Sequence, residues 1–364
     1  MAMLIIILML IIGIMQYRAK WIALKEIKYN YTLSKKYIEI DEPVELKSTV
    51  TNESHRLVTS IRMVEIMPNS ARPFTMKVYT KEDSRGTDFV RYNSSLSLTA
   101  RSIFTRKIKL TFHHRGRYVF RGAELSSGGD FLGNLEKHHF NELREVVVLP
   151  KAMESPQFQE IMSDFLGDIS VHRFIVEDPI LTIGIREYTG REPLKQMSWI
   201  HTARMNQMMV KQFDYTTEMV VTVFLDVSVV RRKTLRKAQF ENCYSLARGV
   251  CQHLQRHKIS FEFVTNTIEY GGNERDTETL GNLQLNLILE KLGRAGYGTR
   301  RSYESVIESL SVEQEKDRAM LIITPRRDHD KQKLAESFKA RTGGTVFFIY
   351  GEDFGETSEW EGSE

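Results

Sequence analysis

The sequence predicts a multi-domain protein with an N-terminal transmembrane helix, a β-sandwich and a doubly wound α/β domain. Three patterns support this: an uncharged apolar run at the N-terminus, period-2 alternation of apolar residues up to residue 150, and alternating strand and helix patterns after residue 216. The predicted domains are a transmembrane anchor at 1–17, a β-sandwich at 18–150, a connecting segment at 151–215, the α/β domain at 216–352 and an acidic tail at 353–364.

Length and composition exclude several protein classes. The chain has 364 residues, which is more than one compact module needs, and its 41% hydrophobic and 27% charged residues are ordinary for a globular protein. Two cysteines cannot form a disulfide framework or a four-thiolate zinc site. The net charge of +4 is too small to indicate nucleic-acid binding, so no nucleic-acid partner is expected.

The N-terminal run, MAMLIIILMLIIGIM, contains no charged side chain. A bilayer core requires about 20 helical residues, so this short run spans only if Tyr17 and Trp21 lie at the interface while Arg18 and Lys20 snorkel. A cleaved signal peptide and a buried soluble helix are the alternatives. Against the signal peptide, no basic stretch precedes the run and no small-residue cleavage site follows it.

Basic residues follow the apolar run. Residues 18–36 contain only Glu26 as an acid, against Arg18, Lys20, Lys25, Lys28, Lys35 and Lys36. The positive-inside rule places this flank in the cytoplasm. We therefore expect a single-pass protein of the cell membrane with its main domains in the cytoplasm.

Residues 37–150 have the pattern of antiparallel strands. Val44, Leu46 and Val50 recur at even spacing, as do Ile108 and Leu110. Turn-forming clusters such as PNS, RGTD, HHRG and SSGGD separate these short runs. Short alternating strands with frequent turns predict a sandwich.

The pattern changes after residue 216. The run EMVVTVFLD is almost continuously apolar, as in a strand that is buried on both faces. Further strands are predicted at ISFEFVT, AMLIIT and TVFFIY, and helices near 234–257, 279–292, 301–315 and 328–341. This alternation predicts a parallel sheet with helices on both faces.

An Asp-x-Ser turn follows the first strand of that sheet, where ligands bind in such folds. Asp226 and Ser228 offer the oxygen ligands that Mg²⁺ prefers. The metal-dependent adhesion site of a von Willebrand A-like domain requires a further Ser and a Thr-Asp pair, but Val230 and Pro325 stand at those positions. Thr299 is a third candidate metal ligand.

Because two ligands are missing, the sequence favours no metal and no cofactor. Asp226 and Ser228 are then expected to cap the following turn or helix. No catalytic residues are predicted, because the chain lacks the GxxxxGK[ST], HExxH and GxSxG motifs. The alternative function is a metal-dependent hydrolase or adhesin that uses this turn.

The connecting segment carries an unusual mixture of aromatic and charged residues. Arg186, Tyr188, Trp199 and Arg204 lie within it, shortly before the core strand. Arginine pairs with carboxylates and stacks on rings, so the favoured interpretation is a packed, ion-paired joint between domains. The alternative is a partner-binding surface, where Trp, Tyr and Arg are the usual anchors.

This segment resembles the core motif of the DUF58 family. The residues that match in register are Gly184, Arg186, Tyr188, Trp199, Ala203, Arg204, Val210 and Phe213. Earlier segments, RGRY at 115–118 and DFLG at 130–133, are similar to two further family motifs. The chain departs from the family at Arg191-Glu192, where relatives have Gly-Asp, and at Ile200, which is often Lys.

The resemblance implies a membrane-anchored protein with a von Willebrand A-like domain whose metal site is degenerate. Family members are typically encoded beside MoxR-type AAA+ ATPases and transglutaminase-like membrane proteins. We therefore expect a bacterial adaptor that works with such an ATPase in the assembly or maturation of envelope or other protein complexes. The resemblance supplies no catalytic residues.

Overall fold

The computed structural model describes ten continuous stretches and part of the N-terminal run. These are residues 26–55, 57–73, 89–127, 136–173, 182–190, 192–213, 220–228, 237–271, 285–313 and 319–355, together with 3, 6, 7, 9–11, 13 and 14. The chain divides into two compact units. One comprises Met1–Lys151 and Leu289–Arg294, and the other comprises Ala152–Ile288 and Ala295–Glu364.

The first unit is built from β-strands. They are β1 (Ile27–Leu33), β2 (Tyr37–Ile38), β3 (Val44–Asn52), β4 (Val58–Pro68), β5 (Arg72–Pro73), β6 (Phe89–Leu98), β7 (Ile103–Thr111), β8 (Gly116–Phe120), β9 (Ala123–Ser127), β10 (Glu136–Phe140) and β11 (Arg144–Val148). Two four-stranded sheets have the orders β1-β3-β7-β5 and β10-β9-β4-β6, and a third has the order β2-β11-β8.

The alternation seen in the sequence places one face of β3 in the core of this unit. In β3, Val44, Leu46 and Val50 are buried while Lys47 between them is exposed. One apolar cluster combines Val50 with Ile61 and Leu125, which lie on the other four-stranded sheet. The two sheets therefore share a core, as in a sandwich.

The second unit alternates helices and strands. The elements after residue 151 are α1 (Pro156–Arg173), β12 (Thr182–Glu187), α2 (Trp199–Met205), β13 (Met209–Phe213), β14 (Val220–Leu225), α3 (Lys237–Arg256), β15 (Ser260–Thr265), β16 (Thr267–Glu269), α4 (Leu285–Arg294), β17 (Ala295–Thr299), α5 (Tyr303–Glu313), β18 (Ala319–Thr324), α6 (His329–Thr342) and β19 (Thr345–Tyr350). Of these, only the Leu289–Arg294 part of α4 belongs to the first unit.

A parallel sheet forms the centre of this unit. Its strand order is β15-β14-β18-β19, and each neighbouring pair is parallel. The two inner strands, β14 and β18, are almost wholly buried, which explains their continuous apolar composition. Because all four strands run the same way, their carboxyl ends lie along one edge of the sheet.

The predicted transmembrane helix, and with it the predicted fold class and membrane localisation, is wrong. Within the described residues, every helix is too short or too polar to cross a bilayer. The apolar run counted in the sequence is itself shorter than the roughly 20 residues that a bilayer core needs. The remaining positions of 1–17, and the interfacial residues Arg18, Lys20 and Trp21, lie outside the described residues.

The predicted orientation rested on the basic residues that follow the apolar run. Three of these lysines form ion pairs in the part of the chain that the structure describes. Lys28 lies in β1, and its ammonium is 2.6 Å from the Glu53 carboxylate. Lys35 pairs with Glu42. Lys36 lies 3.7 Å from Glu145. These lysines have acidic partners within the β-strand unit.

Two further segments have regular structure. The connecting segment contains the 18-residue helix α1. The glycine-rich stretch Gly293–Gly298 forms, from Ala295, the strand β17, which pairs with β16. Of the predicted acidic tail, residues 356–364 lie outside the described part of the chain.

Glu145 of β11 is the centre of an ion-pair network in the first unit. Its carboxylate accepts hydrogen bonds from the Arg294 guanidinium and, at 2.7 Å, from Arg117 Nε. Arg294 is only 4% exposed and also donates to Glu290 at 2.9 Å. The bonds from Arg294, and then those from Arg117, lower the pKa of Glu145 from 4.5 to about 2.

This network predicts a pH-dependent contribution to stability. Because the pKa of Glu145 is lowered in the folded state, its contribution is present above pH ~4.5 and is lost as the pH falls toward ~2. Glu145→Gln is expected to lower the free energy of unfolding at neutral pH by about 1–3 kcal/mol. Urea denaturation should show that difference shrinking between about pH 5 and pH 2.

Glu142→Gln is the matched control, because Glu142 is exposed and pairs only with the exposed Arg144 among the described charged residues. Its free energy of unfolding should stay within about 0.5 kcal/mol of the wild type. Equal losses for both variants at every pH would contradict the assignment.

Candidate functional site

The carboxyl edge of the parallel sheet brings three polar residues together. Asp226 directly follows β14, Asn266 directly follows β15, and Thr324 is the last residue of β18. Neighbouring parallel strands deliver their terminal residues to the same place, which is where such sheets bind ligands. All three residues are buried: Asn266 and Thr324 are each 1% exposed and Asp226 is fully enclosed.

The Asp226 carboxylate accepts five hydrogen bonds from described residues. Its Oδ1 atom accepts from Ser228 N at 2.9 Å, Ser228 Oγ at 2.6 Å and Asn266 Nδ2 at 2.6 Å. Its Oδ2 atom accepts from Thr324 Oγ1 at 3.3 Å and Lys331 Nζ at 2.5 Å. A carboxylate has about four lone-pair sites, so these donors saturate it.

The cation in this set is Lys331, the third residue of α6. Besides Asp226 Oδ2, its ammonium donates to the Ser228 carbonyl at 2.6 Å and lies 3.5 Å from Thr324 Oγ1. Its three N–H groups therefore face three oxygen atoms. We refer to Asp226, Ser228, Asn266, Thr324 and Lys331 as the carboxyl-end pocket.

The Lys331 ammonium has a free-energy cost at this position for two reasons. A positive charge in the first turn of a helix opposes the helix dipole, at a cost of about 0.3–1 kcal/mol. Lys331 is also only 7% exposed, and removing an ammonium from water costs more than that. The Asp226 carboxylate supplies the opposite charge, and the Tyr303 ring lies 5.4 Å from the ammonium.

The pocket lacks an activated nucleophile. The Ser228 hydroxyl donates its proton to Asp226, whose lone pairs are occupied by other donors as well. Burial, and then the Asp226 charge, raise the pKa of the nearby Cys243 thiol. This thiol stays protonated and is a poor nucleophile. In the described residues, no three His, Cys, Asp or Glu side chains cluster as metal ligands.

The structure brings together two of the three predicted metal ligands. Asp226 and Ser228 meet in the pocket, where Ser228 N donates to Asp226 Oδ1 in an Asx-type turn. Thr299 ends β17 opposite Thr267 and is not among the described donors to Asp226. Val230 lies outside the described residues. Lys331 and Asn266 were not among the residues predicted for this site.

A second feature of this unit is a small β–α–β arm, residues 182–213. β12 pairs antiparallel with β13, with Arg186 opposite Val210, and α2 lies between them in the chain. Met197 and Val210, which both belong to the arm, are buried and form an isolated β-bridge. Tyr188 N donates to Met208 O at 2.9 Å, which closes the open end of the strand pair.

Arg186 forms an ion pair with a carboxylate of the same arm. Its guanidinium lies 2.7 Å from Glu192, which also accepts from Thr189 Oγ1 at 2.6 Å and Thr189 N at 3.0 Å. The Thr189 hydroxyl, and then Arg186, lower the pKa of Glu192 to about 2. Glu192 is at the position of the aspartate in the DUF58 motif. From the sequence alone, it was identified only as a residue that differs from this motif. Its neighbour Arg191 lies outside the described residues.

Several large apolar side chains of the arm are exposed. Trp199 is 63% exposed, and Arg204 on the same helix is also exposed. The other exposed large apolar residues here are Leu194, Ile200, Met205 and Met208. We call these five apolar side chains the arm surface. Trp and Arg are among the usual anchors of partner-binding surfaces.

Comparison with known proteins leaves the chain without an assigned family. No family model and no curated protein matches it. A CARDB domain from Pyrococcus furiosus, solved with di-metal ions, matches 34% of this chain and 87% of its own length at 12% identity and a TM-score of 0.22.

A cohesin module from a Clostridium perfringens glycoside hydrolase matches 34% of this chain and 96% of its own length, at 14% identity and a TM-score of 0.23. An alkylpurine DNA glycosylase from Pseudomonas fluorescens matches 34% of this chain and 30% of its own length, at 14% identity and a TM-score of 0.21. Likeness at this level indicates neither fold nor function.

The carboxyl-end pocket predicts a strongly non-additive pair of substitutions. Asp226→Asn should lower the free energy of unfolding by about 3–5 kcal/mol, because it leaves the Lys331 ammonium buried without a counter-charge. The double variant Asp226→Asn/Lys331→Met removes both charges and should be more stable than Asp226→Asn alone. Urea denaturation of the wild type, both single variants and the double variant measures this coupling. Additive losses would show that the two charges do not interact.

Proposed function

We propose that this chain is a protein–protein interaction adaptor that docks a partner protein on the arm surface. The observation that carries the proposal is the exposure of Trp199, 63%, within a set of exposed apolar side chains. Tryptophan is the residue most enriched among the anchors of protein interfaces. Several large apolar side chains exposed within one short segment are typical of a surface that another molecule covers.

The arm is built to hold this surface in a fixed position. Thr202 Oγ1 accepts from Met209 N at 3.0 Å, which ties α2 to β13. Ser198 Oγ lies 2.9 Å from His201 Nδ1 at the start of α2. The ion pair between Arg186 and Glu192 holds the chain between β12 and the helix. A pre-organised surface loses less conformational entropy on binding.

The chemistry of the carboxyl-end pocket also supports an adaptor over an enzyme or a metal-dependent adhesin. Both alternatives need Asp226 to bind a divalent cation, and Asp226 instead pairs with the Lys331 ammonium at 2.5 Å. A metal-dependent hydrolase would also need a base that can accept a proton from Ser228. The Asp226 carboxylate, which accepts from the Ser228 hydroxyl, already accepts from four other donor groups.

The resemblance to the DUF58 family suggests the partner. It makes a MoxR-type AAA+ ATPase the first candidate and a transglutaminase-like protein the second. Lys195, Arg204 and Lys211 are exposed on the arm near the apolar side chains. These cations favour a partner whose docking face is apolar at its centre and acidic at its rim.

Trp199→Ala is expected to weaken partner binding without destabilising the protein. Its side chain is exposed, so the melting temperature should stay within about 2 °C of the wild type. If Trp199 is an anchor, the affinity for the purified ATPase should fall by a factor of about 30 or more. Binding would be measured with the immobilised chain, with and without ATP.

Ile103→Ala is the matched control, since Ile103 is 67% exposed but lies on β7 in the other unit. It should change neither stability nor affinity. Unchanged binding by Trp199→Ala, or an equal loss in both variants, would overturn the assignment of the arm surface.

Partner binding should also be independent of divalent cations at the adaptor. Chelation of Mg²⁺ by EDTA is expected to leave nucleotide-free binding unchanged, because the carboxyl-end pocket holds a lysine ammonium. A loss of binding that Mg²⁺ restores, and that Asp226→Asn abolishes, would support the metal-dependent adhesin instead.

A further inference from the structure

The oxygen atoms of the carboxyl-end pocket converge on one point, which the Lys331 nitrogen occupies. They are Asp226 Oδ2 at 2.5 Å, the Ser228 carbonyl at 2.6 Å and Thr324 Oγ1 at 3.5 Å. The oxygen atoms belong to residues at the ends of two different strands, whereas the ammonium belongs to a residue of α6. A carboxylate, a carbonyl and a hydroxyl are also the ligands of hard divalent cations.

The geometry points to a cation site that the chain fills with its own lysine. We infer that the pocket is built to hold a cation at this point, and that removal of the Lys331 amine leaves a site for Mg²⁺ or Mn²⁺. Three protein oxygens with water completing the shell match the way Mg²⁺ is usually bound. Mn²⁺ accepts the same oxygen ligands.

The carboxylate is held in position independently of the lysine. Three donors, two from Ser228 and one from Asn266, bind Asp226 Oδ1. Asn266 is itself fixed, because its Oδ1 accepts from Val227 N at 3.0 Å. The Oδ2 atom therefore keeps its direction when the amine is removed, as outer hydrogen bonds do for metal ligands.

The amine is also held at the point by groups other than Asp226. Tyr303 lies beside the ammonium, its hydroxyl donates to Lys331 O at 3.2 Å, and its ring stacks on Phe224 at 5.7 Å between centroids. A divalent cation entering the wild-type pocket would have to displace an amine that makes three contacts with oxygen. The native chain is therefore expected to exclude divalent cations.

The test is the response of Lys331→Ala to Mn²⁺, measured by thermal unfolding of the full chain. Without added cation, this variant should melt below the wild type, because Asp226 has lost its counter-charge. Mn²⁺ up to about 10 mM should raise its melting temperature by several degrees in a saturable way, as a ligand of the folded state does. The wild type should not respond.

Two variants control for non-specific effects. Asp226→Asn/Lys331→Ala lacks the carboxylate and should lose the response to Mn²⁺. Lys331→Met keeps a side chain in the pocket and should be destabilised without being rescued. Mg²⁺ should act as Mn²⁺ does, whereas K⁺ at the same ionic strength should not.

The outcomes decide the inference in either direction. It is supported if Lys331→Ala binds Mn²⁺ through Asp226, including the case in which this variant folds only when Mn²⁺ is present. It is overturned if Lys331→Ala shows no saturable response, if the wild type responds equally, or if the variant fails to fold with Mn²⁺ while Lys331→Met folds. Binding of a partner to the arm surface does not enter into this test.

Discussion

The ion pair between Asp226 and Lys331 is the constraint on which the second unit depends. Its two charges are buried, so each requires the other. Through this pair, the end of β14 is joined to the first turn of α6, and Thr324 brings in the end of β18. The same pair saturates the one carboxylate on which metal-dependent chemistry would rest. The proposed function of this unit therefore rests on the arm surface.

Local sequence patterns predicted the strands but not every segment between them. The continuous apolar run ending at Leu225 corresponds to the central strand β14, because a strand covered on both faces needs apolar residues throughout. The N-terminal run misled because its high hydropathy was given more weight than its length, which is less than the roughly 20 residues that a bilayer core needs. The lysines after it misled because their partners, such as Glu53 and Glu145, lie far along the chain.

The candidate site could be predicted only in part. Asp226 and Ser228 stand directly after a buried strand, so local sequence identified them. Lys331 is 105 residues from Asp226 in the sequence. It lies in a polar helix, where a lysine side chain is normally exposed to solvent. One signal was available, since a lysine in the first turn of a helix opposes the dipole and requires a nearby carboxylate. The exposure of Trp199 depends on the packing of the arm, which cannot be deduced from the amino-acid composition of this segment.

The measurement that tests this account most directly is a crystal structure of the wild-type chain grown with Mn²⁺, with anomalous differences recorded for manganese. The account predicts no manganese peak beside Asp226, and density for the Lys331 side chain reaching to its carboxylate. A manganese ion bound by Asp226 and Thr324, with Lys331 turned away, would contradict it. Such a structure would support the alternative in which the carboxyl-end pocket binds a metal ion for its function.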